Sequence, residues 1–311
     1  MSESEAAGPE TGADAPTRAG FVALIGAPNA GKSTLLNRLV GSKVSIVTHK
    51  VQTTRALVRG IGMHGNAQII FVDTPGIFAP KRRLDRAMVS TAWGGAADAD
   101  LVALLIDARK GMTEEVEAIL DKLAGTERKK ILILNKVDIS ERENLLTLAQ
   151  EANEKVAFDQ TFMISALKGD GSDDLLDYFA AQMPESPWLY PEDQISDLPM
   201  RWLAAEVTRE KLMIRLHEEL PYSSTVETEG WKDTKDGGVR IEQVIYVARE
   251  SQRKIVLGKG GSAIKAISMA ARKDLAEMLD QPVHLFLFVK VRSNWADDPE
   301  RYREMGLDFP T

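Results

Sequence analysis

Residues 24–34 read LIGAPNAGKST, an apolar run that enters a loop bounded by glycines and leaves it as a helix-forming stretch. Gly26 to Ser33 fit the spacing GxxxxGK[ST]. Glycines at the two ends let the backbone through Gly26, Ala27, Pro28, Asn29, Ala30 and Gly31 turn its N–H groups inward. The helix that starts near Ser33 adds the positive end of its dipole. This is a cradle for a polyphosphate. Lys32 is placed to neutralise β and γ phosphates, the Ser33 hydroxyl to ligate Mg²⁺, and Thr34 to close the loop.

Outward from this loop, apolar runs FVALI, IIFV, LVALLI, ILIL and FMIS alternate with longer amphipathic stretches. Runs this apolar suit strands covered on both faces, so the first part of the chain is expected to be α/β, a mostly parallel sheet with helices on both sides. Residues 58–72, with MHGN between two runs, suit a hairpin that adds an antiparallel edge.

Three more strand ends carry polar motifs. IIFVDTPGI puts Asp73, Thr74, Pro75 and Gly76 after a strand, with Asp73 suited to hold Mg²⁺ and the Gly76 N–H suited to the γ-phosphate. ILIL ends in Asn135-Lys136-Val137-Asp138. The Asp138 carboxylate can accept two hydrogens from N1 and N2 of guanine, which adenine cannot offer, so the nucleotide is expected to be GTP or GDP. Asn135 suits the far edge of the base, and the Lys136 stem can lie over the ring. A further strand ends at Ser165-Ala166-Leu167, where a backbone N–H can reach the guanine O6. All four motifs lie at C-terminal strand ends, where α/β sheets bind ligands.

The chain has 311 residues, 44 % of them hydrophobic and 27 % charged, and no cysteine. Disulfides, zinc thiolates and thiol catalysis are therefore excluded. No apolar run approaches the ~18 residues of a membrane span. The opening MSESEAAGPETGADAPTR lacks the basic start and apolar core of a secretion signal and suits a disordered acidic tail, residues 1–19. His49, His64, His217 and His284 are scattered, with no metal-ligand spacing. The net charge is −7, yet residues 201–311 are neutral, so the first 200 residues carry all of it.

PESPWLYPEDQISDLP, residues 184–199, has four prolines and no periodicity and marks a linker between a domain at 20–183 and another at 200–295, with 296–311 as a tail. The second domain reads as an amphipathic helix near 200–220, strands SSTVETEGW and VRIEQVIYVAR, a short helix near Gln252, the loop Gly258-Lys259-Gly260-Gly261, a helix through ARKDLAEML and a last strand VHLFLFVKV. Trp202, Leu203, Val207, Leu212, Leu216 and Leu220 give the first helix an apolar face for the core. GKGG is too short for a second phosphate loop, and alone it reads as a helix cap. Its surroundings argue for more: residues 249–273 hold Arg249, Arg253, Lys254, Lys259, Lys265, Arg272 and Lys273 against Glu250 alone. The order α, β, β, α, α, β resembles an α+β type II KH domain, whose GxxG loop clamps single-stranded RNA. The partner is then RNA, not DNA, with Arg253, Lys254, Lys259 and Lys265 on phosphates and Gly258, Gly260 and Gly261 allowing close approach.

GAPNAGKS, DTPG, NKVD and SA together resemble the translation-factor-like GTPases, and Gln52-Thr53-Thr54-Arg55 is similar to the QTTR of the Era family. That resemblance implies a second Mg²⁺ ligand at Thr54, with Thr53 the alternate. It also implies a K⁺ ion held by Asn29, which matters because Ile77 stands where many GTPases carry a water-orienting glutamine. Lys32, Asn29 and Thr54 are then the residues that carry a slow hydrolysis. A P-loop GTPase domain, a linker and one type II KH domain are the Era organisation. The family further implies binding to the 3′ end of 16S rRNA on the 30S subunit, a role in subunit maturation, a monomer, and a cytoplasmic location with peripheral association at the inner face of the membrane. Alternatives are a different RNA target, a GTP-dependent RNA-modification enzyme, disfavoured by the missing cysteine, and a binding module with negligible hydrolysis.

Overall fold

The structure is a computed structural model that describes residues 16–50, 53–217, 220–235, 237–293, 295 and 298–309. The expected tail at 1–19 and Gln52 thus lie mostly or wholly outside the described residues. Arg18 and Ala19 do not belong to a tail. They start β1 (Arg18–Gly26), because Arg18 pairs with Ala67 and the Ala19 N–H donates to the Pro184 carbonyl at 3.1 Å.

From β1 the chain runs through α1 (Lys32–Val40), β2 (Val58–His64), β3 (Ala67–Asp73), α2 (Arg83–Asp98), β4 (Leu101–Asp107) and α3 (Glu114–Ala124). It continues through β5 (Lys129–Asn135), α4 (Arg142–Lys155), β6 (Gln160–Ile164) and α5 (Ser172–Gln182). The sheet order is β2-β3-β1-β4-β5-β6, parallel except for β2, which pairs antiparallel with β3 as the hairpin reading expected. Both faces are buried with period two. Val22, Leu24, Leu101, Ala103 and Leu105 enter one core cluster, and Ala23, Ile25, Val102, Leu104 and Ile106 enter the other. Such strands must be apolar throughout. The chain leaves β1 toward β3 on one side and β4 on the other, so the crevice at the end of β1 falls at Gly26.

Residues 184–199 are irregular but pinned. The Ile61 N–H donates to the Ile195 carbonyl at 2.9 Å, the Ser196 hydroxyl to the Arg59 carbonyl at 2.8 Å, and Arg59 pairs with Asp197 at 2.8 Å. The linker thereby covers the outer edge of β2, which would otherwise offer unpaired backbone groups.

The second domain contains α6 (Met200–Arg215), β7 (Ser224–Asp233), β8 (Val239–Val247), α7 (Glu250–Leu257), α8 (Ser262–Leu279) and β9 (Val283–Val291), the expected order. β8 pairs antiparallel with β7 and parallel with β9. α6 ends before Leu216, earlier than its apolar pattern suggested: Leu216 is extended, with φ −91° and ψ 156°, and only its N–H, donated to the Leu212 carbonyl, still belongs to the helix. Of its expected core residues, Leu203, Val207, Leu212, Leu216 and Leu220 are buried in this domain, while Trp202 packs against the first domain's core.

The segment after 295 is not a tail. It forms α9 (Pro299–Glu304), and Trp295, Tyr302 and Leu307 are buried in a cluster with Leu84, Ala87 and Met88 of α2. Burial of these side chains removes enough apolar surface from water to order the segment. The C-terminal residues thus fasten the second domain to the first.

Candidate functional site

The loop between β1 and α1 wraps a cavity of about 450 Å³ that is also lined by residues 46–49, Thr53, Thr54, Asn135, Lys136, Asp138 and Ser165 to Leu167. The loop is tight for reasons visible in its glycines. At Gly26 a Cβ would strike the Leu105 carbonyl, and at Gly31, with φ 104°, it would strike the Asn135 amide. Lys32 opens α1 with its side chain folded back, Nζ 3.0 Å from the Gly26 carbonyl and 3.2 Å from that of Ala27. Burial holds its pKa at about 8, well below that of an ordinary lysine, although Asp73 acts the other way.

Above Lys32 three oxygens converge. The Ser33 hydroxyl donates to Asp73 Oδ2 at 2.6 Å and lies 3.0 Å from the Thr54 hydroxyl, which is 3.4 Å from the same carboxylate oxygen. Ser45 adds a third hydroxyl donor to that oxygen at 2.9 Å. Asp73 is fully buried, its other oxygen Oδ1 has no partner, and burial raises its pKa against the pull of Lys32 and the hydroxyls. A buried carboxylate with an orphaned oxygen, ringed by hydroxyls beside a buried lysine, has the donor set of a hard divalent cation. Thr53 faces elsewhere: its hydroxyl bonds the Thr48 hydroxyl and the Lys50 carbonyl. Ile77 is buried in the core, its N–H donating to the Gly26 carbonyl at 3.1 Å, so its side chain reaches no water in the cavity. Asn29, in the left-handed conformation with φ 64°, donates its amide to the His49 carbonyl at 2.9 Å. Thr74 bonds the Leu24 carbonyl, and Gly76 lies against Pro28, where a Cβ would be 3.0 Å from that ring.

The base-side residues are interlocked. The Asn135 amide donates to the Ala30 carbonyl at 2.8 Å and accepts from the N–H groups of Lys136 and Ala166 at 2.8 and 3.0 Å. It ties three loops together and keeps one amide hydrogen for a base. Lys136 Nζ bonds the Asn29 carbonyl at 2.7 Å and Asp107 at 2.6 Å. The Asp138 carboxylate has no hydrogen-bond partner among the described residues, and of Ser165, Ala166 and Leu167 only Leu167 leaves its N–H unengaged among them. The asparagine tie and the Ser45 hydroxyl escaped the sequence reading, because each depends on which loops the fold brings together.

The second loop is built differently. Gly258, Gly260 and Gly261 all have positive φ, and around Gly260 and Gly261 a Cβ would meet nothing within 4 Å. Gly260 and Gly261 stand clear of the domain at the N-terminus of α8, whereas at Gly258 a Cβ would strike Ala263 of that helix, so Gly258 is required by packing within the protein and does not add to the open surface expected of it. Lys254, Lys259 and Lys265 are exposed around it with no carboxylate in ion-pair range among the described residues, whereas Arg253 pairs with Glu250 at 3.0 Å. Ile255 and Met269 are exposed on either side, at 58 % and 56 %. Among the described residues no cluster of three or more metal-ligating side chains exists, and no helix is long and apolar enough to cross a membrane.

A family profile described as "50S ribosome-binding GTPase" matches residues 21–136, and one described as "KH domain" matches residues 219–296. The chain is 71 % identical over 295 residues to the GTPase Era of Rhizobium meliloti strain 1021, covering 95 % of this chain and 94 % of that protein. It is 70 % identical over 295 residues to that of Brucella suis biovar 1, covering 95 % of each. A crystal structure of Era in complex with MgGDPNP and nucleotides 1506–1542 of 16S ribosomal RNA superposes with a TM-score of 0.88 at 40 % identity, over 93 % of this chain and 99 % of that one. A structure of an Aquifex aeolicus Era variant bound to GDP·AlF4⁻ matches with the same score, identity and coverage.

Proposed function

The chain belongs to the Era family of GTPases, and from that membership we propose that it is a GTP-hydrolysing switch that binds the 3′ end of 16S rRNA through its KH domain during maturation of the 30S subunit. The observation that carries the GTPase half is that Lys32, Ser33, Thr54 and Asp138 line one cavity and that the Ser33 and Thr54 hydroxyls meet on the buried Asp73 carboxylate behind it. Ser33, Thr54 and Asp73 would hold Mg²⁺, with Thr54 rather than Thr53 as the switch ligand. Bound there, the metal supplies positive charge that neutralises the phosphate oxygens. Lys32 adds a cation beneath the same phosphates, Asp138 reads the N1 and N2 edge of guanine, and the Leu167 N–H is free for O6.

Ile77 orients no water, so hydrolysis by this chain alone is slow. The Asn29 amide donates to the His49 carbonyl on the phosphate side; a K⁺ ion there would replace that hydrogen bond and be held by the His49 carbonyl and, with the amide turned over, by Asn29 Oδ1. Equal single-turnover rates in Na⁺ and K⁺ at one ionic strength would remove that part of the reading. On the RNA side, the free cations around 258–261 meet phosphates, and the glycines admit the backbone closely.

Ribosome binding of this kind supports a cytoplasmic location. The description of the matching GTPase profile supports a second reading, in which the target is the large subunit. Cosedimentation with purified 30S and 50S subunits in the presence of a non-hydrolysable GTP analogue decides between them: recovery with 30S alone supports the proposal, and recovery with 50S alone the alternative.

A further inference from the structure

The nucleotide and RNA sites lie in separate domains, and besides the α2 cluster and the ion pairs of Lys43 with Glu210 and Asp274, the contacts between those domains include a set on the residues beside Thr54. Arg55 is buried, only 4 % exposed. Its Nη1 donates to the Ser224 carbonyl at 3.0 Å, and its Nη2 to the Pro221 and Tyr222 carbonyls at 3.3 Å each. Its guanidinium carbon lies 5.6 Å from the centroid of the Trp295 ring, and the Trp295 indole N–H donates to the Ser223 carbonyl at 3.1 Å. On the other side of Thr54, the Thr53 carbonyl accepts a hydrogen bond from Arg209 on α6. Glu206 holds Arg209 with two hydrogen bonds, at 2.7 and 2.5 Å. Lys50 likewise reaches the Leu216 carbonyl at the end of α6.

This is a poor way to gain stability. A buried guanidinium costs several kcal/mol in lost hydration, and a well-packed apolar residue of similar volume would serve the fold as well. Arg55 meets neutral carbonyls rather than a carboxylate, and its Nε is buried without a partner. Burial, and then the neighbouring Arg209, push its pKa down to about 9. What a guanidinium does supply is direction, since its donors lie in one rigid plane. That plane reads a single arrangement of the turn at 221–224, and this turn begins β7. Meanwhile the adjacent Thr54 hydroxyl faces Ser33 and Asp73.

We propose that Arg55 is a positioning residue for GTP hydrolysis, registering the 221–224 turn of the KH domain against the segment that carries Thr54, so that the KH domain completes the GTPase site. Arg209 does the same for the Thr53 carbonyl. A shift of the turn is then felt one residue away at the metal, and loss of Thr54 from the metal frees the turn. The proposal rests on the assignment of Thr54 to Mg²⁺.

The test uses full-length protein: single-turnover GTP hydrolysis across a MgCl2 titration, with GDP affinity measured by a fluorescent analogue. Arg55→Gln should slow hydrolysis about 10- to 100-fold, as expected for a misplaced reactive group, and raise the half-maximal Mg²⁺ concentration, with GDP affinity within about twofold. Arg55→Lys should recover part of the rate, because one ammonium reaches part of the carbonyl set. A rate and Mg²⁺ midpoint within about twofold of wild type in Arg55→Gln overturns the proposal, and so does GDP affinity falling in step with the rate. Should Arg55→Gln fail to fold, Arg209→Gln releases the Thr53 carbonyl and carries the same two outcomes. Thr54→Ala separates the two readings. If it leaves the rate and Mg²⁺ midpoint unchanged, the metal assignment fails; if it slows hydrolysis while the arginine variants do not, only the positioning role fails.

Discussion

Two glycine loops with a lysine, at 26–33 and 258–261, look alike as strings and are opposite as structures. In the first, the glycines are demanded from inside. Leu105 and Asn135 occupy the space a Cβ would need, and the lysine is folded under its own loop. In the second, nothing of the protein lies near Gly260 or Gly261, and the lysine is exposed. A loop that closes on itself makes a pocket for a small, highly charged ligand. One that stands open with positive φ, at the start of a helix, offers its N–H groups to a long ligand lying across it.

Four experiments break or sharpen that contrast. The largest effect is expected from Gly31→Ala, which combines a strained φ with a collision against the amide that ties three loops. Nucleotide affinity should fall by about 1000-fold, measured by fluorescence titration, and a near-normal affinity would mean the loop is not packed as described. Next, Asp138→Asn should weaken GTP by about 100-fold and favour xanthosine triphosphate, whose base edge exchanges a donor for an acceptor. Unchanged GTP affinity removes Asp138 from base reading.

Gly260→Asp should act on the other loop alone. Aspartate tolerates a left-handed backbone and has room there, so the melting temperature should stay within a few degrees and basal hydrolysis should persist. The new charge should weaken a single-stranded 16S rRNA fragment about tenfold. If RNA affinity survives, the open loop is a helix connection and no clamp.

The smallest effect concerns pH. Lys32 in the free protein titrates at about 8, and a bound diphosphate would raise that value. The bound form then holds a proton that the free form loses above pH 8. GDP affinity should be flat from pH 6.5 to about 8 and fall by up to about tenfold per unit above it. A flat profile to pH 9 would show that Lys32 stays charged without ligand.

Much of this was readable in the chain. The alternation of apolar runs revealed a sheet covered on both faces, and the loops at 26–33, 73–76, 135–138 and 165–167 could be placed because each joins a strand end to a helix or turn. The order of elements in the second domain was equally plain. The reading stopped where contacts span the chain. Tyr302, Leu307 and Phe309 are aromatic and apolar residues closely spaced in the stretch read as a tail, and Trp295 lies just before it. That spacing was the available signal, but its partners, Leu84 and Met88, lie some 200 residues earlier. Arg209 sits among the buried residues of α6, where charge on an apolar face could have marked a contact with another domain.

By itself the sequence determined the nucleotide, the phosphate loop and the two-domain order, because these follow from local conformation: a glycine's φ, the period of a strand, the donors on a side chain. Tertiary structure alone decided how the two domains meet. Thr54 and Arg55 are neighbours in the chain, yet one faces Asp73 and the other the turn at 221–224. No local rule ties those partners together, since their meeting depends on the docking of one folded domain against another.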